Sequence, residues 1–111
     1  MRRGDIVLAA FKGDWGKPRP FLIVQADLIG AHGYSSVVVC PLTSALTGGT
    51  VCRVPVEATP ETGLRERSEI MVEKLAAPPR ARLRDVIGRV DKATLREVER
   101  ALLLVLGIGV R

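Results

Sequence analysis

Short apolar runs set the pattern of the first three-quarters of the chain. Apolar residues dominate three early segments, DIVLAAF (5–11), FLIVQ (21–25) and SVVVCPLTS (36–44). Runs of this length, bordered by glycine, proline or charged residues, are typical of buried strands. The third segment is the strongest because its three consecutive valines are β-branched. FLIVQ shows no polar alternation, so we expect this strand to be buried on both faces.

Three later segments predict further strands, VCRVPVE (51–57), SEIMVEKL (68–75) and VIGRV (86–90). Pro55 indicates an edge strand, and Pro41 in the third strand should end regular pairing or lie at a bulge. In SEIMVEKL the alternation places Ile70 and Val72 on one face and the acidic residues on the other. The connections are too short for helical crossovers, so we expect a mainly antiparallel sheet.

The end of the chain predicts one helix. Asp91 is a favourable N-cap, and Gly107 lies where a helix commonly ends in a left-handed glycine. Between them, apolar residues recur at helical spacing: Leu95, Val98, Leu102 and Val105. From Leu102 onward the helix is apolar all round, so it needs a cover, either the domain's own sheet or a second subunit.

These elements predict a mainly β fold, a small and strongly bent barrel with a C-terminal α-helix packed outside. A length of 111 residues with 47% hydrophobic residues suits a single domain spanning 1–111. The longest apolar run, 101–110, is too short to cross a bilayer, and the N-terminus does not read as a signal peptide. We therefore expect a cytoplasmic protein without membrane attachment.

Charge and composition limit the partners, metal sites and reaction types that we expect for this chain. Lys and Arg number 17 against 12 Asp and Glu, a net charge of +5, which suits a polyanion or an acidic protein partner. Cys40, Cys52 and a single histidine provide too few ligands for zinc, and no hydrolase or nucleotide-binding motif is present. We expect no metal and no cofactor. Glu73 is a candidate carboxylate base, although strand carboxylates are mostly solvated or salt-bridged.

Two polar residues occupy unusual positions. Arg19 lies between two prolines at the start of the second strand, where its backbone is restricted. Thr43 follows the third strand, so an antiparallel pairing places both residues at one rim of the sheet. A guanidinium and a hydroxyl together suit a phosphate group. On spacing alone, the plainer alternative is favoured: Arg19 pairs with Asp14 or Asp27, and Thr43 is a turn hydroxyl.

Several motifs occur in a specific order along almost the whole chain. They are RRGDIV, GKPRPFLIVQ, VVVCPLTS, the Gly63-Leu64 pair, SEIMVEKL and IGRVDKATLREVERAL. In this combination the chain resembles the MazF/PemK (Kid) family of toxin endoribonucleases from bacterial type II toxin–antitoxin systems. The resemblance implies an SH3-like barrel of five to seven mostly antiparallel strands with a C-terminal helix, and a homodimer.

The resemblance also implies an activity. Members of the family are mRNA interferases that cleave single-stranded RNA at short sequences without a metal, by attack of the ribose 2′-OH on the adjacent phosphate. Their catalytic arginine and threonine correspond to Arg19 and Thr43. Arg19 can neutralise the charge of the transition state. Arginine is a poor general base at neutral pH, so charge stabilisation is favoured over proton abstraction, and the choice between the two stays open. A cognate antitoxin with an acidic disordered segment is the implied partner.

Four further residues are candidate RNA contacts: Trp15, Lys17, Ser44 and Lys74. Trp15 either stacks on a base or packs over the mouth of the barrel, and Lys17 either holds a flanking phosphate or is solvated. The loop before the R-P motif is shorter than is usual in the family. Lys74 and Ala76 replace a glutamine and an arginine, so the family's sequence specificity does not carry over.

Two other functions remain open. The first is a non-enzymatic toxin of the same fold that binds a protein such as gyrase, as CcdB-like toxins do through their C-terminal helix. The second is a non-catalytic RNA-binding barrel. Intact RNA together with capture of gyrase would favour the first, and salt-sensitive RNA binding without cleavage products would favour the second.

Overall fold

The computed structural model describes residues 1–10 and 17–109. Its six strands form one antiparallel sheet in the order β4-β5-β3-β2-β1-β6. The strands are β1 (Asp5–Ala9), β2 (Arg19–Ile23), β3 (Val39–Thr43), β4 (Arg53–Val56), β5 (Ser68–Met71) and β6 (Leu83–Arg89). The helices are α1 (Asp27–Gly30), α2 (Lys92–Leu106) and two single 3₁₀ turns, Val72–Lys74 and Arg80–Arg82. The predicted antiparallel β fold with a terminal helix is confirmed.

Both faces of the sheet are buried in its central strands. The first face packs against α2 through a core that includes Ile6, Leu22, Cys40, Leu42, Val54, Ile70, Val98 and Ala101. The second face carries a smaller cluster, Val7, Ala9, Phe21, Ile23, Val37, Val39 and Leu83. Successive residues of β2 alternate between the two clusters, which confirms that this uninterrupted apolar strand is buried on both faces.

The two edge strands, β4 and β6, approach each other through the segment that follows β4. The Arg89 amide donates to the Glu61 carbonyl at 2.8 Å. Gly63 has a φ of +68°, and a Cβ there would lie 1.9 Å from the Ile87 carbonyl oxygen. Only glycine allows this approach. The contact curls the sheet into a barrel-like shape, and Pro55 lies in an edge strand as predicted.

Helix α2 has the predicted caps. The Asp91 carboxylate accepts from the Thr94 amide at 2.8 Å, and Gly107 ends the helix with a φ of 70°. Val98 and Ala101 are buried against the first face. The final turn is about half exposed at each of its apolar residues, Leu103, Leu104, Val105, Leu106 and then Ile108. Of the two predicted covers, the domain's own sheet therefore serves only one side of the helix.

Two strands differ in detail from the sequence pattern. Pro41 lies inside β3 as the partner of Phe21, while pairing with β5 begins only at Leu42, where no proline nitrogen is needed as a donor. The SEIMVEKL segment stays extended only to Met71 and then forms a 3₁₀ turn. Ile70 and Val72 both join the first-face core, as the alternation predicts.

Candidate functional site

Arg19 is the first residue of β2, and its side chain is exposed. Its Cα pairs with that of Ala9, a member of the second-face cluster, so the guanidinium leaves the sheet on the second face. No ion pair among the described residues includes Arg19. The Asp27 carboxylate instead accepts from the Arg3 amide at 2.8 Å. The predicted pairing of Arg19 with Asp27 is therefore not seen, and Asp14, the other predicted partner, lies outside the described residues.

Thr43 is the last residue of β3 and is half-buried. Strands β2 and β3 pair Phe21 with Pro41, and this register continued by two residues sets Arg19 opposite Thr43. Directly opposite residues of an antiparallel pair share a face, with Cβ atoms about 4.5–5.5 Å apart. The topology thus brings the two predicted residues to one rim of the second face.

The hydroxyl of Thr43 has one recorded partner, the Ala45 amide, which donates to Oγ1 at 3.1 Å. A hydroxyl that accepts from a backbone amide still has its own proton to donate. No acceptor for that proton is recorded within residues 1–10 and 17–109. Thr43 is therefore a turn hydroxyl, as the alternative predicted. The proton of this hydroxyl nevertheless remains available as a donor on the face that Arg19 shares.

The other predicted contact residues fall into three groups. Lys17 and Ser44 are exposed neighbours of Arg19 and Thr43 at the same rim. Lys74 is exposed in the 3₁₀ turn after β5, near the opposite end of β3, where Ala76 pairs with Val39. The structure does not bring Lys74 to the rim. Trp15 lies outside the described residues.

Glu73 does not fit the role of a base. The Arg53 Nε donates to both of its carboxylate oxygens, at 3.0 and 2.7 Å. This hydrogen bond is the main reason that the pKa of Glu73 lies below its ordinary value. A carboxylate held in its charged form accepts a proton poorly. The salt-bridged alternative is the one observed.

Glu69 is the residue at this rim that the sequence did not single out. It is the β5 partner of Thr43, and only 2% of its surface is exposed. Burial alone raises the pKa of its carboxyl, but hydrogen bonds from the Thr47 hydroxyl and from the backbone of residues 47–49 outweigh burial and lower the pKa overall. The signal in the sequence was its place on the polar face of an alternating strand. Its burial depends on a loop whose path the sequence does not reveal.

Neither cysteine belongs to this rim's chemistry. Both are free, and burial in the first-face core, with a smaller effect of Glu73, raises the pKa of Cys40 to about 12. Such a thiol is not nucleophilic near neutral pH. In the described part of the chain, no three His, Cys, Asp or Glu side chains are grouped as metal ligands would be. None of the described helices has the length and apolar content to span a membrane.

Comparison with known proteins agrees with this geometry. The profile of a family described as PemK-like, MazF-like toxin of type II toxin–antitoxin system matches residues 2–106. The chain belongs to this family. It is also 43% identical over 110 residues to the "Probable endoribonuclease MazF" of Mycolicibacterium smegmatis, covering 98% of this chain and 99% of that one. The resemblance seen in the motifs is thereby confirmed.

Solved structures of MazF toxins share the fold. The Mycobacterium tuberculosis toxin MazF-mt6 superposes with a TM-score of 0.79 at 24% identity, over 93% of this chain and 96% of that one. A mycobacterial endoribonuclease solved in complex with its cognate antitoxin gives a TM-score of 0.83 at 22% identity, over 100% and 99%. The barrel-like sheet with its C-terminal helix is therefore the MazF fold.

Proposed function

We propose that this protein is a toxin endoribonuclease that cleaves single-stranded RNA at the rim formed by Arg19 and Thr43. Membership of the MazF-like family and the name of the 43% identical relative support the activity. The observation that carries the assignment to this rim is the β2–β3 register, which sets the Arg19 guanidinium opposite a hydroxyl with a proton to donate; no ion pair within residues 1–10 and 17–109 includes Arg19.

The proposed reaction is an internal transfer at phosphorus. The ribose 2′-oxygen forms a bond to the adjacent phosphorus while the bond from phosphorus to the 5′-oxygen breaks. The 2′-OH loses its proton and the departing 5′-oxygen gains one, which gives a 2′,3′-cyclic phosphate and a 5′-OH. DNA lacks the attacking hydroxyl, so the reaction selects RNA.

Arg19 and Thr43 act on the charge that develops in this step. The guanidinium faces the non-bridging oxygens with a fork of donors, and the Thr43 hydroxyl donates a further hydrogen bond. Arg19 supplies fixed positive charge without needing to lose a proton, so we propose metal-independent cleavage without a cofactor. We assign charge stabilisation to Arg19 in preference to proton abstraction, because a guanidinium is a poor base.

The rest of the RNA contact follows from the surface around the rim. Lys17 and Ser44 lie next to the catalytic pair in the chain and are exposed, so we assign them to the phosphates or sugars that flank the cut. Lys74 contacts RNA only if the strand continues along the second face toward the start of β3. Trp15, two residues before Lys17 in the sequence and outside the described residues, is retained as a stacking candidate.

The test is cleavage of a long single-stranded RNA by purified protein in EDTA, with the cut sites mapped. We expect Arg19→Ala to lower the rate by about 10²-fold or more. Arg96→Ala, which removes an exposed arginine from α2, is the matched control and should cleave like the wild type. Activity lost on chelation, or retained in a folded Arg19→Ala variant, would contradict the proposal.

We also propose a homodimer and an antitoxin partner. The exposed apolar end of α2 supports self-association, and a related endoribonuclease was solved with its cognate antitoxin. A net charge of +5 suits an antitoxin segment that is acidic and disordered before it binds. Because the proposed substrate is cellular RNA, we place the enzyme in the cytoplasm.

A further inference from the structure

We propose that Glu69 is a positioning residue of the endoribonuclease site, which fixes the loop after β3 and thereby the hydroxyl of Thr43. This inference rests on the proposed function. Glu69 is the Cα partner of Thr43 across the β3–β5 pair, so the two side chains leave the sheet on the same face. The carboxylate therefore lies one strand away from the hydroxyl and two strands away from Arg19.

The carboxylate is tied to the loop by several donors. The Thr47 amide donates to Oε1 and Oε2 at 3.1 Å each, and the Thr47 hydroxyl donates to Oε1 at 2.8 Å. The Gly49 amide donates to Oε2 at 3.2 Å. No described lysine or arginine forms an ion pair with Glu69. Its charge is thus compensated by the loop, which is an unusual arrangement for a carboxylate that is almost fully buried.

Within the described part of the chain, Glu69 is the main anchor of the loop, residues 44–50. The Arg53 amide of β4 donates to the Thr50 carbonyl at 3.2 Å, and other contacts reach no further than two residues along the chain; the remaining hydrogen bonds of the loop end on Glu69. Gly48 and Gly49 have φ values of +88° and +89°, and a Cβ on either would meet nothing within 4 Å. These two glycines do not pack against the sheet, so the loop is held mainly by Glu69.

The same loop sets the Thr43 hydroxyl. The Ala45 amide, which donates to Thr43 Oγ1, lies between Thr43 and the anchored Thr47. If the loop moves, the Thr43 hydroxyl loses its hydrogen bond from the Ala45 amide. The hydroxyl is then free to rotate, and its proton no longer stays directed toward the substrate. A misplacement of about 1 Å in a reacting group can reduce a rate about a hundredfold. Glu69 thus acts on the reaction through Thr43 and touches no substrate itself.

The first variant is Glu69→Gln, which keeps the shape but turns one oxygen acceptor into a donor facing backbone amides. We expect kcat to fall about tenfold or more, while Kd for an uncleavable RNA with a 2′-deoxy cut site changes by less than about threefold. Amide exchange at Thr47 and Gly49, followed by NMR, should accelerate. Glu66→Gln removes the same charge from an exposed neighbour and should alter neither quantity.

A second pair of variants covers the case in which Glu69→Gln does not fold. Thr47 is exposed, so Thr47→Val removes one hydrogen bond to Glu69 without disturbing the core. Thr47→Val should lower kcat and Thr47→Ser should restore it. Wild-type rates in Glu69→Gln and Thr47→Val, with cleavage by the wild type intact, would overturn this role alone. A wild type that leaves RNA intact would overturn the proposed function and this role with it.

Discussion

At the scale of single residues, the hydroxyl of Thr43 is the group of the proposed site that substitutions test most directly. It accepts from the Ala45 amide and still has its own proton to donate, on the face of the sheet that Arg19 also occupies. Thr43→Val keeps the shape and removes the donor, and we expect it to lower kcat/KM about a hundredfold, as loss of one such donor does elsewhere. Thr43→Ser keeps the hydroxyl and should stay within about threefold of the wild type. Initial rates on a fluorogenic RNA measure both, and equal rates in the two variants would remove Thr43 from the reaction.

The residues of the site differ in how far the sequence could reveal them. Arg19 and Thr43 were predictable because two prolines and a strand end fix their places locally, and antiparallel pairing then brings them to one rim. Glu69 was not predictable as a buried residue, because its burial depends on the loop of residues 44–50. The loop residues that bind its carboxylate lie 20 or more positions away in the sequence. The partner of Glu73 was equally hidden, since Arg53 reaches it from another strand.

At the scale of elements, α2 is specified by its own sequence. The N-cap hydrogen bond from the Thr94 side chain and amide lowers the pKa of Asp91 below its ordinary value of 3.8. A carboxylate whose pKa falls on folding stabilises the native state above the unfolded pKa, and this stability is lost as the pH drops through the folded pKa. Asp91→Ala should therefore lower the melting temperature near pH 7, and the difference should shrink as the pH falls below 3.8 and through the folded pKa. Melting is followed by circular dichroism, and Asp85→Ala, which removes an exposed carboxylate from β6, is the control. A difference in melting temperature between the wild type and Asp91→Ala that does not depend on pH would contradict the role of Asp91 as N-cap.

The closure between β6 and the segment after β4 is an element-scale feature that periodicity cannot predict. At Gly63 an added Cβ would lie 1.9 Å from the Ile87 backbone oxygen, on top of an unfavourable φ of +68°. Gly63→Ala should cost about 2–5 kcal/mol of unfolding free energy, from overpacking and left-handed strain together. Gly33→Ala has a similar φ of +73° but open space around it, and should cost about 1–2 kcal/mol. Urea unfolding measures the loss of unfolding free energy in each variant. Equal losses in Gly63→Ala and Gly33→Ala would mean that the segment around Gly63 shifts to make room for the new methyl group.

At the scale of the whole molecule, the two faces of the sheet serve different purposes. The first face is sealed by α2, whereas the second face is apolar at its centre and polar at the Arg19–Thr43 rim. Amphipathic strands and a capped helix are local properties, which is why the sequence predicted this architecture. Local periodicity does not specify what covers the final turn of α2, and the sequence left the two alternatives open for that reason.

The exposed end of α2 allows a test of the proposed homodimer. Leu106 is 54% exposed and lies beside other half-exposed apolar residues, and a surface of this kind is usually covered by a partner. Leu106→Glu should shift the protein from dimer to monomer in sedimentation velocity, because burying an unpaired carboxylate in an apolar interface is costly. Leu28→Glu places the same charge on an equally apolar but separate position in α1, 71% exposed, and should leave the dimer intact. A dimer that survives Leu106→Glu but not Leu28→Glu would move the interface to α1, and a monomeric wild type would rule out self-association through either helix.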